Sequence, residues 1–103
     1  MATGRMGAAD LAAATNTTLY TVPTGKVGSF SVNFCNRNAT PVTVRLALAA
    51  TATPATSEWL LYEALIEGNG MLERTGLVLD AGKLVVVQAS AANVSATVYG
   101  FED

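Results

Sequence analysis

An all-β domain is what this sequence predicts: a single antiparallel β-sandwich, jelly-roll-like, of about seven strands with an N-terminal arm. Three observations predict it. Phe30, Val32 and Phe34 alternate with Ser29, Ser31, Asn33 and Cys35, and strict period-two alternation marks a strand with one buried face. Turn-forming clusters recur along the chain at roughly 8–12-residue spacing, the rhythm of a sandwich or barrel. The chain has 103 residues, half of them hydrophobic, enough for one core and one domain.

The elements follow in order. Residues 1–15, MATGRMGAADLAAAT, are rich in Ala and Gly and lack a strong period. They read as an arm that takes its structure from what it touches, and residues 16–103 as the sandwich domain. Thr17-Thr-Leu-Tyr-Thr-Val22 is rich in strand formers and stops at Pro23-Thr24-Gly25, a turn sequence. After the alternating run to Cys35, Asn36-Arg37-Asn38-Ala39-Thr40-Pro41 reads as a turn, because Asn tolerates the left-handed conformation and bonds its own backbone. Val42, Val44, Leu46 and Leu48 then point inward and Thr43, Arg45 and Ala47 outward, so residues 29–49 read as a hairpin.

Residues 51–57, TATPATS, form a loop. Glu58 to Ile66 is ambiguous between helix and strand, and its aromatics and strand-like flanks favour a strand. Glu67-Gly68-Asn69-Gly70 is a turn, and Met71 to Leu79 a strand in which Gly76 predicts a bulge. Asp80-Ala81-Gly82 turns again. Leu84-Val85-Val86-Val87 is apolar at consecutive positions, as in a strand buried on both faces. Val94 to Phe101 resumes the alternation before an acidic end.

Charge excludes several functions. Only 14% of residues are charged, the formal net charge is −2 and the six cationic residues are scattered. Nucleic acid is therefore not an expected partner, since phosphate binding relies on clustered Lys and Arg. No apolar run is long enough for a bilayer span, and the N-terminus lacks the apolar core of a secretory signal. A surface so poor in charge suits burial against other subunits, so a homo-oligomer is expected, with Trp59, Tyr62, Met71 and Phe101 suited to the contact.

Candidate chemistry is thin. Cys35 is the one cysteine, with Arg37 nearby, but the chain contains no histidine, so a Cys–His pair is excluded. Glu58, Glu63 and Glu67, with Glu73 and Arg74 in the next strand, read as solvated residues or intersubunit ion pairs rather than an acid–base pair. No calcium-loop or phosphate-loop pattern is present. Asn16, Asn38 and Asn93 open Asn-x-Ser/Thr triplets, read as turn chemistry rather than glycosylation. The expectation is no enzyme: no catalytic residue, no cofactor and no metal.

Four ordered segments, LAAATNTTLYTVPTGKV, VNFCNRNATPVTVRLALA, GMLERTGLVLDAGKLVVVQAS and VSATVYGFED, together resemble small virion structural proteins of tailed bacteriophages. The resemblance spans nearly all of Leu11 to Asp103, with Cys-Asn-Arg and Leu-Glu-Arg-Thr-Gly its most specific parts. It implies a place in the virion, assembled in the host cytoplasm. The nearest analogy is to β-rich capsid cement (decoration) proteins, which bind the outside of the shell, often as trimers, against the major capsid protein or other virion proteins. A tail, collar or baseplate component is the runner-up. A carbohydrate-binding sandwich is the third reading, but a regular strand sets Trp59 and Tyr62, three apart, on opposite faces.

Overall fold

Residues 3–103 are described by a computed structural model of the chain. They form eight strands: β1 (Thr3–Leu11), β2 (Thr17–Thr21), β3 (Gly28–Asn36), β4 (Val42–Ala49), β5 (Trp59–Ile66), β6 (Met71–Leu79), β7 (Leu84–Ala89) and β8 (Val94–Glu102). A single 3-10 turn, Thr56–Glu58, precedes β5. Two four-stranded antiparallel sheets result, ordered β1-β8-β3-β6 and β2-β7-β4-β5.

The pairing is nested. β4 pairs with β5, β3 with β6, β2 with β7 and β1 with β8. The chain is thus one long hairpin, its tip at the loop before β5, rolled so that β3 meets β8 and β4 meets β7. Inward side chains of both sheets meet in one core: Phe30, Val32 and Phe34 from β3, Val44 and Leu46 from β4, Val85 and Val87 from β7, and Val94, Ala96 and Val98 from β8.

The alternation seen in the sequence therefore reports the inner faces of β3, β4 and β8. Val85 and Val87 lie in the main core while Val86 is buried on the other side of β7, as the consecutive valines predict. β5 is a strand, and Gly76, at a φ of 73°, lies in the bulge of β6 opposite β3.

Three expectations are corrected. Strands number eight, not about seven. Residues 29–49 are not a hairpin: β3 and β4 lie in different sheets, and Arg37–Pro41 is an arch between them. Its Asn residues supply turn chemistry as expected, but the chain crosses the core instead of doubling back.

The third correction concerns the arm expected over residues 1–15, which lies partly outside the described residues. From Thr3 to Leu11 the segment is an edge strand paired with β8, and Leu11 is buried in the core. Gly7, Ala9 and Leu11 pair with the inward residues Val98, Ala96 and Val94. Small residues stand at the first two of these positions, and at Gly7 β1 closes tightly over β2: a Cβ there would lie 2.4 Å from the Leu19 carbonyl oxygen. Close approach erased the large apolar residues by which a strand is usually recognised.

Side chains fasten the layers. Asn36 is buried and its Nδ2 donates to the carbonyls of Thr40, Ile66 and Glu67, while its Oδ1 accepts from the Asn38 N–H. One amide thus holds the arch against the turn between β5 and β6. Arg37 pairs with Asp10 of β1, and Tyr20 of β2 donates to Glu102 of β8. Every register shift places its extra residue on an edge strand, β1, β2, β5 or β6, whereas the central β3–β8 and β4–β7 ladders run unshifted. Bulged edges resist pairing with another sheet.

Candidate functional site: an aromatic–arginine cluster

β5 carries two bulges against β4. Val44 pairs with Ala64 and Leu46 with Leu61, so Tyr62 and Glu63 together oppose Arg45; Ala47 then pairs with Trp59, leaving Leu60 extra. Each extra residue breaks the period of two. Trp59 and Tyr62 consequently share the outer face of the sheet, their ring centroids 5.8 Å apart and their planes at 70°. The expectation that they face opposite ways is corrected, because it assumed a regular strand.

Glu63 adopts a φ of 58°, a left-handed conformation that costs a residue with a Cβ roughly 1–2 kcal/mol. Two neighbours on β4 hold it there. The Thr43 hydroxyl donates to Oε2 at 2.7 Å, and Arg45 Nε donates to Oε1 at 2.5 Å, with Arg45 Nη2 completing the ion pair. These bonds, Thr43 first and then Arg45, hold the Glu63 carboxyl below its ordinary pKa. The guanidinium carbon of Arg45 lies 4.2 Å from the Tyr62 ring centroid and 5.8 Å from that of Trp59, within the range of cation–π attraction.

A second apolar cluster supports the aromatics. Ala47, Ala49 and Val86 lie on the outer face yet are buried, with Trp59 and Leu84 packed over them. The indole is therefore seated, whereas Tyr62 is 61% exposed. An anchored Trp, an exposed Tyr and a guanidinium fixed between them form a rigid, electrically balanced platform.

Other residues singled out from the sequence lie apart from it. Cys35, half-buried, is on the outer face of the other sheet, between Ser95 and Met71. Glu58 receives the backbone N–H groups of Ala50 and Ala55 and closes the loop at the hairpin tip. Glu73 accepts from the Tyr99 hydroxyl at 2.5 Å and raises its pKa. It lies in the sheet opposite to Glu63, so the two carboxylates are not brought together. Asn38 donates to the Ala92 carbonyl, and Asn93, at a φ of 63°, donates to Asn38 Oδ1, which is turn chemistry as read from the sequence. Asn16 accepts from Gln88. A shallow depression of about 280 Å³ lies beside Asp10 and Ser95, on the outer side of β1 and β8.

Sequence reasoning weighed Trp59 with Tyr62 but set them on opposite faces and did not bring Arg45 to them, although one signal was present. The inward residues Leu61, Ala64 and Ile66 are spaced three and then two apart, and the longer step marks an extra residue. No protein-family model, no curated protein and no solved structure matches this chain.

Proposed function

We propose that this chain is a structural protein of a bacteriophage virion, a cement protein that binds the outside of the capsid and stabilises it by protein–protein contacts. The supporting observation is the nested strand order, β1-β8-β3-β6 beside β2-β7-β4-β5. A long hairpin rolled into two sheets is the plan of a jelly-roll-like sandwich, an eight-stranded architecture used by viral capsid and lectin domains. Fold is a weak guide to function, so the resemblance of the Cys-Asn-Arg and Leu-Glu-Arg-Thr-Gly segments to tailed-phage virion proteins narrows the choice. Exposed Met71, Val78 and Phe101 on the sheet containing β8 supply apolar surface for subunit contacts. The bulged edges direct assembly to faces and loops rather than to sheet extension.

In this reading the protein forms a homotrimer seated on the major capsid protein, uses no cofactor and performs no catalysis. Cryo-electron microscopy of the intact particle tests it. Trimeric density of this fold on the outer shell is expected, together with bursting under milder heat when the protein is absent. Density in the tail, collar or baseplate would replace the cement role, and absence from the particle would overturn the virion reading.

A further inference from the structure

We infer that the outer face of β4 and β5 binds a neutral sugar ring, stacked on Tyr62 and hydrogen-bonded by Thr43, Arg45 and Glu63. This inference does not rest on the virion reading. It starts from the bulge. Holding Glu63 in the left-handed region opposes folding, and the residue it re-aims is Tyr62, which meets solvent over 61% of its surface. Backbone strain that displays an aromatic ring on a solvent-facing sheet is not accounted for by the core, where neither Tyr62 nor Glu63 takes part.

The chemistry of the cluster selects the ligand. The Arg45 guanidinium lies 4.2 Å from the centre of the Tyr62 ring and Trp59 stands at 70° to it. Tyr62 nevertheless leaves most of its surface to solvent, so aromatic surface remains for a ligand to stack on. A ring face carries negative charge density. A pyranose meets it well, because its axial C–H bonds form a flat, weakly positive patch edged by hydroxyl groups. Those hydroxyls need both acceptors and donors at the rim. The Glu63 carboxylate accepts, the Arg45 guanidinium donates, and the Thr43 hydroxyl, whose proton goes to Glu63, accepts.

Charge decides between neutral and acidic sugars. Arg45 and Glu63 form an ion pair, so the cluster presents no net charge to a carboxylated or sulfated ring. Rigidity favours binding further. Trp59 is seated on Ala47, Ala49 and Val86, and the ion pair fixes Arg45, so few side chains remain to be ordered when ligand arrives. Leu65, opposite Thr43 in the ladder and 60% exposed, extends the apolar rim beside the ring.

The test uses the full chain and its single tryptophan, Trp59, whose emission reports on a ligand at the neighbouring Tyr62. Neutral hexose oligomers, the corresponding monosaccharides, and sialylated and sulfated oligosaccharides are titrated separately. Saturable change is expected with neutral oligomers, stronger than with single sugars if a polysaccharide is the natural source and equal if a free sugar is. Tyr62→Ala should weaken binding about tenfold or more, Tyr62→Phe should retain it, and amide NMR shifts should centre on Thr43 and Tyr62–Glu63. Equal response to charged sugars, indifference to Tyr62→Ala, or no response to any sugar would overturn the inference. So would protection of Tyr62 by a neighbouring protein in the native assembly, which would make this face a protein contact.

Discussion

The hydroxyl of Tyr20 donates to the carboxylate of Glu102, joining β2 of one sheet to β8 of the other near the end of the chain. Burial first, then the hydrogen bond and charge of Glu102, push the Tyr20 phenol from 10.0 up to about 12. The folded state therefore holds this proton more tightly than the unfolded chain does. Its contribution is complete below the unfolded pKa and is lost as pH rises through the folded one. Denaturant unfolding should show stability falling between pH about 10 and 12. Tyr20→Phe should remove that part of the alkaline loss and cost about 2 kcal/mol at neutral pH. An unchanged alkaline profile in the variant would refute the tie.

Asn36 presents the opposite case, a buried neutral amide serving three carbonyl groups and one N–H. Asn36→Ala should lower stability by about 3 kcal/mol, because several backbone groups lose their partner together. Asn36→Asp should be worse, since a buried carboxylate would face carbonyl oxygens. Urea midpoints with unchanged slopes would measure both.

β1 now carries a prediction about truncation. Deleting residues 1–11 removes an edge strand, strips the ladder from the edge of β8 and takes Leu11 out of the core, so the domain should unfold or melt far lower. Leu11→Ala, which keeps the strand, should cost about 3 kcal/mol. Full stability after the deletion would return the segment to the role of a detachable arm.

Adjacent positions on β4 separate the two faces. Val44 is wholly buried in the core, and Val44→Asp should abolish soluble expression. Thr43→Asp lies on the outer face and should fold, with a modest loss because its charge would oppose that of Glu63 where a hydroxyl now donates. Equal expression of both variants would contradict the inward and outward assignments.

Glu63 supplies an acid-side counterpart to Tyr20. The bonds from Thr43 and Arg45 hold its carboxyl below the ordinary value of 4.5, so its contribution is present above that value and lost as pH falls through the lower folded pKa. Trp59 emission should change over that interval as Arg45 is released, and Glu63→Gln should eliminate the transition. A midpoint above 4.5 would contradict the hydrogen bonds assigned to Glu63.

The sequence by itself determined the class of the fold, since alternation in β3, β4 and β8 is imposed by one-sided burial and needs no partner to be read. It also determined the two-sided burial of β7 and the turn chemistry of Asn38 and Asn93, where local backbone preference and side-chain bonding coincide. Tertiary structure decided the rest. Whether Asn36–Pro41 turns back or crosses the core depends on which strands compete to pair, and those are dozens of residues away. β1 became a strand because β8 offers a ladder, and β2 leaves no room for a side chain at Gly7. Trp59 and Tyr62 came to share a face because β5 absorbs extra residues against the shorter span of β4. Period-two reasoning is blind to that mismatch until the pairing register is known.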